Sequence, residues 1–211
     1  MQEEENWIRK NILIQFHDKL SILSLLKNKI NTWAYIHIPK TGGTTIKNIL
    51  KDVDGNLSLP NHSPITFINN KDIFTFTFVR NPFTRFMSLY YHECRKAKDT
   101  IQLKKFVENV TDNFFLYMPQ SYYINEDKSN LSFIGKYESF INDLNFILNS
   151  FNIQQTIPHL NRNPIYDKHP NLDSDKYYSV ILSQEKWVIE WIRERYKNDF
   201  KIFNYGMELP R

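Results

Sequence analysis

The chain has 211 residues, of which 41% are hydrophobic and 15% are aromatic. This content is enough for a substantial core and excludes a disordered protein, while the length suits one large domain. The net charge of +4 is too small an excess to indicate nucleic-acid binding by itself. It suits a site that attracts a multiply charged anion.

The cysteine content and the N-terminal residues indicate the cellular compartment in which the protein resides. The single cysteine, Cys94, excludes an intramolecular disulfide and a cysteine-based metal cluster. Glu3, Glu4 and Glu5 give the N-terminus the wrong charge for a secretory signal. No apolar stretch approaches the length of a membrane span. We therefore expect a soluble, cytoplasmic protein with no membrane anchor in this chain.

The first elements in chain order are a helix, a strand and a second helix. Apolar residues at spacings of three and four predict a helix over residues 4 to 29. Residues 33 to 38 predict a strand that Pro39 closes, and a helix is predicted over residues 44 to 52.

A second strand and its helix come next. Residues 73 to 79 are rich in Phe and Thr and predict a strand. Asn81 and Pro82 then predict the start of a helix, because Asn is a good N-cap and Pro is favoured at the first helical position.

The last part of the chain predicts a strand over residues 131 to 135 and a helix over 139 to 151. Residues 154 to 180 predict a long surface loop, after which Ser183 caps a last helix that ends near Tyr196. The alternation of strands and helices predicts a single-domain α/β fold with a mainly parallel central sheet flanked by helices. Ligands of such sheets lie beyond the carboxyl ends of the strands.

The first motif lies between the first strand and its helix. It runs, in order, Lys40, Thr41, Gly42, Gly43, Thr44 and Thr45. The glycines let the backbone approach a ligand, and a helix start presents unpaired N–H groups that favour an anion. The lysine precedes the glycines, so the motif is not the Walker A loop of P-loop kinases, although a plain turn with a solvated lysine also fits it.

The second motif follows the second strand. Arg80 stands where that strand ends, and its planar guanidinium suits a phosphate group. Ser88 lies on the next helix, where its spacing places it with Arg85 on a face away from the apolar one. We expect Arg80 and Ser88 to converge on one phosphate, with a capped amphipathic helix and two exposed arginines as the alternative.

The two motifs together, "IPKTGGTT" and "VRNPFTRFMS", resemble those of the PAPS-dependent sulfotransferases, where PAPS is 3′-phosphoadenosine 5′-phosphosulfate. The similarity is strongest to the branch that acts on carbohydrates such as heparan sulfate. "MPQSYYI", "IGKYESFINDLNFIL" and "DFKIFNYG" extend the resemblance from about residue 35 to residue 206. The chain is short and lacks the membrane anchor of the Golgi enzymes, so it resembles a reduced bacterial or viral form.

The resemblance implies a kinase-related nucleotide-binding fold and transfer of a sulfuryl group from PAPS to a carbohydrate hydroxyl. It also implies that the product is PAP, the desulfated nucleotide, and that no metal is required. By position, the first motif from Lys40 to Thr45 would hold the 5′-phosphosulfate. Arg80 and Ser88 would hold the 3′-phosphate.

Two residues are candidates for the chemistry. Lys40 would meet the negative charge that builds on the leaving group. The acceptor hydroxyl must lose a proton, and histidine is the commonest base near neutral pH. Some members of the family carry a histidine in the region of His62, so His62 is our candidate base, with a surface loop histidine as the equal alternative.

Other polar residues are assigned lesser roles. Asn161 and Arg162, in the predicted late loop, are candidate contacts to the nucleotide or the acceptor. Gln120 and Ser121 either line the acceptor site or simply begin a helix after Pro119, which we favour. His37 is expected to pack or to hydrogen-bond within the structure.

Two other classes of function compete. A small P-loop-type kinase would need a Mg²⁺ ligand on the loop and an acidic residue at a strand end, where this chain has Arg80. A nucleotide- or anion-binding module without turnover would use the same pockets. The identity of the acceptor and the oligomeric state do not follow from the sequence.

Overall fold

The structure is a computed structural model that describes residues 32–68, 73–112, 114–124, 131–151, 153–154, 156–157 and 174–210. The predicted helix over residues 4 to 29 and the candidates Asn161 and Arg162 lie outside the described residues.

A three-stranded parallel sheet forms the centre of the fold. Its strands are β1 (Trp33–Ile36), β2 (Phe74–Val79) and β3 (Leu131–Lys136), in the order β1-β2-β3. Every residue of β1 and β2 is buried, as expected for strands of a parallel sheet covered on both faces. The prediction of an α/β fold with a parallel sheet is confirmed.

Helices follow each strand. The α-helices of the described residues are α1 (Gly43–Leu50), α2 (Pro82–Ala97), α3 (Leu103–Glu108), α4 (Gln120–Ile124), α5 (Phe140–Ser150), α6 (Ser174–Ser183), α7 (Lys186–Arg195) and α8 (Lys197–Ile202). Within these residues no helix combines the length and the apolar character that crossing a membrane requires.

The chain divides into two compact units, and each has its own core. The first unit comprises the described residues of Met1–Val79 and Gln120–Asn161. Its core joins the sheet to one side of α1 and α5, through residues such as Tyr35, Phe76 and Leu144. Half of the buried residues described in this core are aromatic, and such rings bury large apolar areas.

The second unit comprises the described residues of Arg80–Pro119 and Arg162–Arg211. It is helical, and α2 contacts α6 and α7 while α7 also contacts α8. Its core includes Phe83, Phe86, Leu182 and Ile192. Whether the chain behaves as a single domain stays a prediction.

The predicted long loop over residues 154 to 180 is wrong at its end, because α6 begins at Ser174. Tyr178 and Leu182 are four residues apart and both buried, so one face of this helix packs into the core of the second unit. Ser183 is the last residue of α6 rather than an N-cap, and Glu185 precedes α7 instead. The Pro- and Asn-rich residues before α6 masked its helical spacing.

The start of α2 confirms the predicted cap. The side chain of Asn81 accepts a hydrogen bond of 3.0 Å from the backbone N–H of Phe83, and Pro82 occupies the first helical position. This bond satisfies one of the N–H groups that a helix start leaves without a partner.

We expect Asn81→Ala to lower the free energy of unfolding by about 1 kcal/mol, because a capped N–H loses its acceptor. Urea denaturation measures the change, and Asn81→Ser is the matched control because Ser also caps well. Equal stability of the Ala and Ser variants would contradict a capping role.

Candidate active site

The first motif forms the turn between β1 and α1. Gly42 stands before the first residue of α1 with a left-handed φ of 90°, and no side chain caps the helix. The first turn of α1 contains no acidic residue. A helix start of this kind offers backbone N–H groups and a positive dipole end to an anion.

Both glycines of the turn occupy positions where a side chain would collide. A Cβ on Gly42 would overlap the ring of Phe140, and a Cβ on Gly43 would overlap the imidazole of His37. The rings of Phe140 and His37 therefore lie directly against the turn. Glycine is required at both positions by sterics, as well as by φ at Gly42.

Two residues before the glycines shape the turn. Thr41 is fully buried, and its hydroxyl donates to the carbonyl of Ile38 at 2.9 Å, so this hydroxyl closes the turn from inside. Lys40 has a left-handed φ of 69°, which is unusual for a residue with a side chain.

In α1, Thr44 is exposed whereas Thr45 is buried. Of the predicted hydroxyl donors, Thr44 is thus the accessible one.

The resemblance implies that this turn holds the 5′-phosphosulfate, so we expect Gly43→Ala to weaken binding of PAP by at least about tenfold. The added Cβ must displace the His37 ring or the turn itself. Isothermal titration calorimetry measures this affinity. The control is Gly206→Ala, because a Cβ there would meet no atom within 4 Å. Unchanged affinity in Gly43→Ala would contradict the close packing of this turn.

His37 follows β1 and lies between two aromatic rings. Its ring is 5.7 Å from that of Tyr35 and 4.2 Å from that of His62, measured between centroids. Burial, followed by the charges of His62, Lys47 and Lys40, lowers the pKa of His37 to about 3, although the hydrogen bond to Asn61 opposes the shift. His37 is therefore neutral at physiological pH.

His62 is brought to the same place by a tight turn. The N–H of Ser63 donates to the carbonyl of Pro60 at 3.2 Å, and His62 has a left-handed φ of 60° within this turn. Its Nδ1 lies 3.0 Å from the carbonyl oxygen of His37. A carbonyl only accepts, so Nδ1 must carry the proton, which makes Nε2 the basic nitrogen of the neutral ring.

Lys47 and Asn61 complete this cluster, although no sequence motif pointed to a role for either residue. The ammonium of Lys47 donates to Oδ1 of Asn61, and Nδ1 of His37 lies 3.5 Å from the same oxygen. Lys47 stands one helical turn after Gly43 on α1 and so shares its face. That spacing was the one available signal for Lys47.

The second motif belongs to the second unit. Arg80 is 3% exposed, its Nε donates to the hydroxyl of Thr84 at 3.0 Å, and its guanidinium lies 5.8 Å from the ring centre of Tyr178. Ser88 is half-buried one helical turn after Thr84, so both hydroxyls share a face of α2. Arg80 is thus fixed beside the helix that carries Ser88.

The alternative of two exposed arginines is wrong, because Arg85 as well as Arg80 is buried. Arg85 is 1% exposed, and its guanidinium donates to the carbonyls of Leu116 at 3.3 Å and Met118 at 3.0 Å. These bonds satisfy two backbone acceptors of a partly buried segment, which a single-sequence pattern does not reveal.

The remaining candidates are placed as follows. Gln120 and Ser121 begin α4 and are buried, which agrees with the helix start that we favoured. Within the part of the chain that the structure describes, no group of three or more His, Cys, Asp or Glu residues could hold a metal ion. The first unit brings Lys40, the glycine turn and His62 together around His37, whereas Arg80 and Ser88 lie in the second unit.

The parallel sheet and the uncapped glycine turn between β1 and α1 define an α/β protein in which this turn offers backbone N–H groups to an anion. Residues 27–206 match the model of the sulfotransferase family. The chain belongs to this family, and the family implies an enzyme that transfers sulfuryl groups. No curated protein and no solved structure matches the chain.

Proposed function

We propose that this protein transfers a sulfuryl group from PAPS to a hydroxyl of a carbohydrate by in-line displacement. The observation that carries the proposal is the glycine turn within a chain of the sulfotransferase family, since that family generally uses PAPS as donor. When bound, PAPS supplies the activated sulfuryl group.

The turn residues fit the sulfated end of the nucleotide. Gly42 and Gly43 carry no side chain that would keep a phosphate from the backbone, and the first turn of α1 has no repelling carboxylate. We assign the 5′-phosphosulfate to Lys40, Thr41, Gly42, Gly43, Thr44 and Thr45. Within this set, Thr41 contributes through its backbone because its hydroxyl is bonded to Ile38.

We assign the 3′-phosphate to Arg80 and Ser88. A guanidinium that Thr84 and Tyr178 hold in place loses less rotamer entropy when it binds an anion than a mobile surface arginine would. A planar fork of donors also matches the geometry of a phosphate better than an ammonium does.

We assign the two chemical roles to Lys40 and His62. As the bond from sulfur to the bridging oxygen breaks, the phosphate gains negative charge that the Lys40 ammonium stabilises. The new bond joins sulfur to the acceptor oxygen, whose proton passes to Nε2 of His62. The hydrogen bond from Nδ1 of His62 to the His37 carbonyl supports this role, since it leaves Nε2 as the basic nitrogen.

A sulfate-transfer assay with labelled PAPS tests the function against a panel of oligosaccharides and tyrosine peptides. We expect label on saccharides, with turnover that persists in EDTA, because the assigned residues bind and stabilise charge without a metal. Label on peptides alone would refute the carbohydrate acceptor and retain the donor.

Thermal shift separates the competing classes of nucleotide. PAP should raise the melting temperature more than ATP with Mg²⁺, since a ligand that binds only the folded state stabilises it by about 2.7 kcal/mol at a hundredfold excess over Kd. A larger shift with ATP and Mg²⁺ would favour a kinase. A shift with PAP but no transfer to any acceptor would favour a binding module without turnover.

A further inference from the structure

The cluster around His37 contains hydrogen bonds to which the proposed chemistry gives no role. Lys40 and His62 suffice for charge stabilisation and proton removal, yet Lys47, Asn61 and His37 form a hydrogen-bonded path that ends at the His37 imidazole. The ring of His62 lies 4.2 Å from that imidazole, and His62 donates separately to the backbone carbonyl of His37. The path joins three separate segments: α1, the turn that contains His62, and the residue that follows β1.

The chemistry of the partners assigns the donors and acceptors along this path. An ammonium has only N–H donors, so the side-chain atom of Asn61 that faces Lys47 must be its oxygen. That oxygen has two lone pairs and also faces Nδ1 of His37, which must therefore carry a proton. The carbonyl of His37 in turn fixes the proton on Nδ1 of His62.

Sterics fix the position of the His37 ring. The ring lies against the Cα of Gly43, stacks on the ring of Tyr35, and meets the ring of His62 at a tilt of 37°. Movement of His37 would therefore disturb both the anion-binding turn and His62.

Charge explains why His37 must stay neutral. A His62 that accepts a proton becomes an imidazolium at a ring distance of 4.2 Å from His37. A second positive charge at that distance would oppose the proton transfer. The groups that face His37 with a charge or a titratable ring are His62, Lys47, Lys40 and Tyr35. Burial lowers the pKa of His37 most, and His62, Lys47 and Lys40 lower it further.

We propose that Lys47 and Asn61 are positioning residues that hold the His37 imidazole in one neutral tautomer against the ring of His62, so that this ring contact orients His62 as the base. This inference rests on the proposed function, in which His62 removes the acceptor proton. Neither Lys47 nor Asn61 needs to touch the nucleotide or the acceptor for this role.

The test compares Asn61→Ala and Lys47→Met with the matched lysine control Lys51→Met. Lys51 directly follows α1, and its side chain is 63% exposed with only a loose ion pair of 3.8 Å to Asp52. We expect kcat to fall about tenfold in Asn61→Ala and less in Lys47→Met, the scale of losing one positioning hydrogen bond. Affinity for PAP should stay within about twofold in all three variants.

Nitrogen-15 spectra of the histidine rings provide a readout that does not require turnover. At about pH 8, where histidine is ordinarily neutral, His37 and His62 of the unaltered chain should both carry the proton on Nδ1. Asn61→Ala should mix the tautomers of His37, whereas Lys51→Met should not.

Asn61→Asp provides the opposite perturbation. A carboxylate facing Nδ1 stabilises the charged ring, so the pKa of His37 should rise from about 3 in this variant. Turnover should then fall toward acid pH more steeply than in the unaltered chain, as His37 gains charge beside the base.

Two results would overturn the inference. The first is an Asn61→Ala variant with normal kcat and an unmixed His37 tautomer. The second is a loss of kcat that is matched by an equal loss of PAP affinity, because Asn61 would then support only the anion-binding turn. If the unaltered chain transfers no sulfuryl group, the proposed function fails, while the spectra still decide whether Asn61 and Lys47 position the two rings.

Discussion

Lys40→Ala should reduce kcat by roughly 10²–10³, the scale for removing one preorganised donor from a charge that develops in the transition state. The leaving phosphate would have to depart without the ammonium that neutralises it. KM for PAPS should change less than kcat, since the lost interaction is strongest in the transition state. Single-turnover kinetics with labelled PAPS measure the chemical step directly.

Lys51→Ala is the control for the loss of one positive charge from the same part of the chain, and its kcat should be unchanged. Lys40→Arg is a second comparison, because it keeps the charge but changes the donor geometry. Near-normal turnover in Lys40→Ala would refute the role of Lys40 in catalysis.

His62→Asn should abolish most turnover, by roughly 10²–10⁴, while the protein stays folded. The amide N–H of Asn can replace Nδ1–H of His62 as donor to the His37 carbonyl. Asn also tolerates the left-handed φ of 60° at this position better than most residues. The variant thus removes Nε2 and preserves the local structure.

The melting temperature of His62→Asn should stay within a few degrees of that of the unaltered chain. A hydrogen bond of the kind that His62 makes contributes only about 1 kcal/mol to the free energy of unfolding. PAP should still bind, because the assigned nucleotide contacts are elsewhere. A His62→Asn or His62→Ala variant with intact turnover would end the assignment of the base. It would leave the donor and the role of Lys40 standing.

Patterns of neighbouring residues in the sequence predicted the features of the fold that neighbouring residues determine. The alternation of strands and helices, the cap at Asn81 and the glycine turn before α1 all follow from a few neighbouring residues. The placement of His37 in hydrogen-bonded packing was also predicted correctly.

Contacts between distant residues were not predictable in this way. Asn61 is hydrogen-bonded to Lys47, which is 14 positions away in the sequence, and to His37, which is 24 positions away. His62 is hydrogen-bonded to the carbonyl of His37, which is 25 positions away. No periodicity links such positions. The burial of Arg85 was unpredictable for a related reason, because the two carbonyls to which it donates lie 31 and 33 residues away in the sequence.

Lys40 and His62, to which we assign the chemistry, both adopt backbone angles that suit glycine. For a residue with a Cβ, each such conformation costs about 1–2 kcal/mol. Selection of randomised libraries at these two codons for heat resistance alone should therefore enrich glycine and asparagine. Selection of the same libraries for product formation should return lysine and histidine. The two outcomes together would show how much folding stability is lost by keeping lysine and histidine at these two positions.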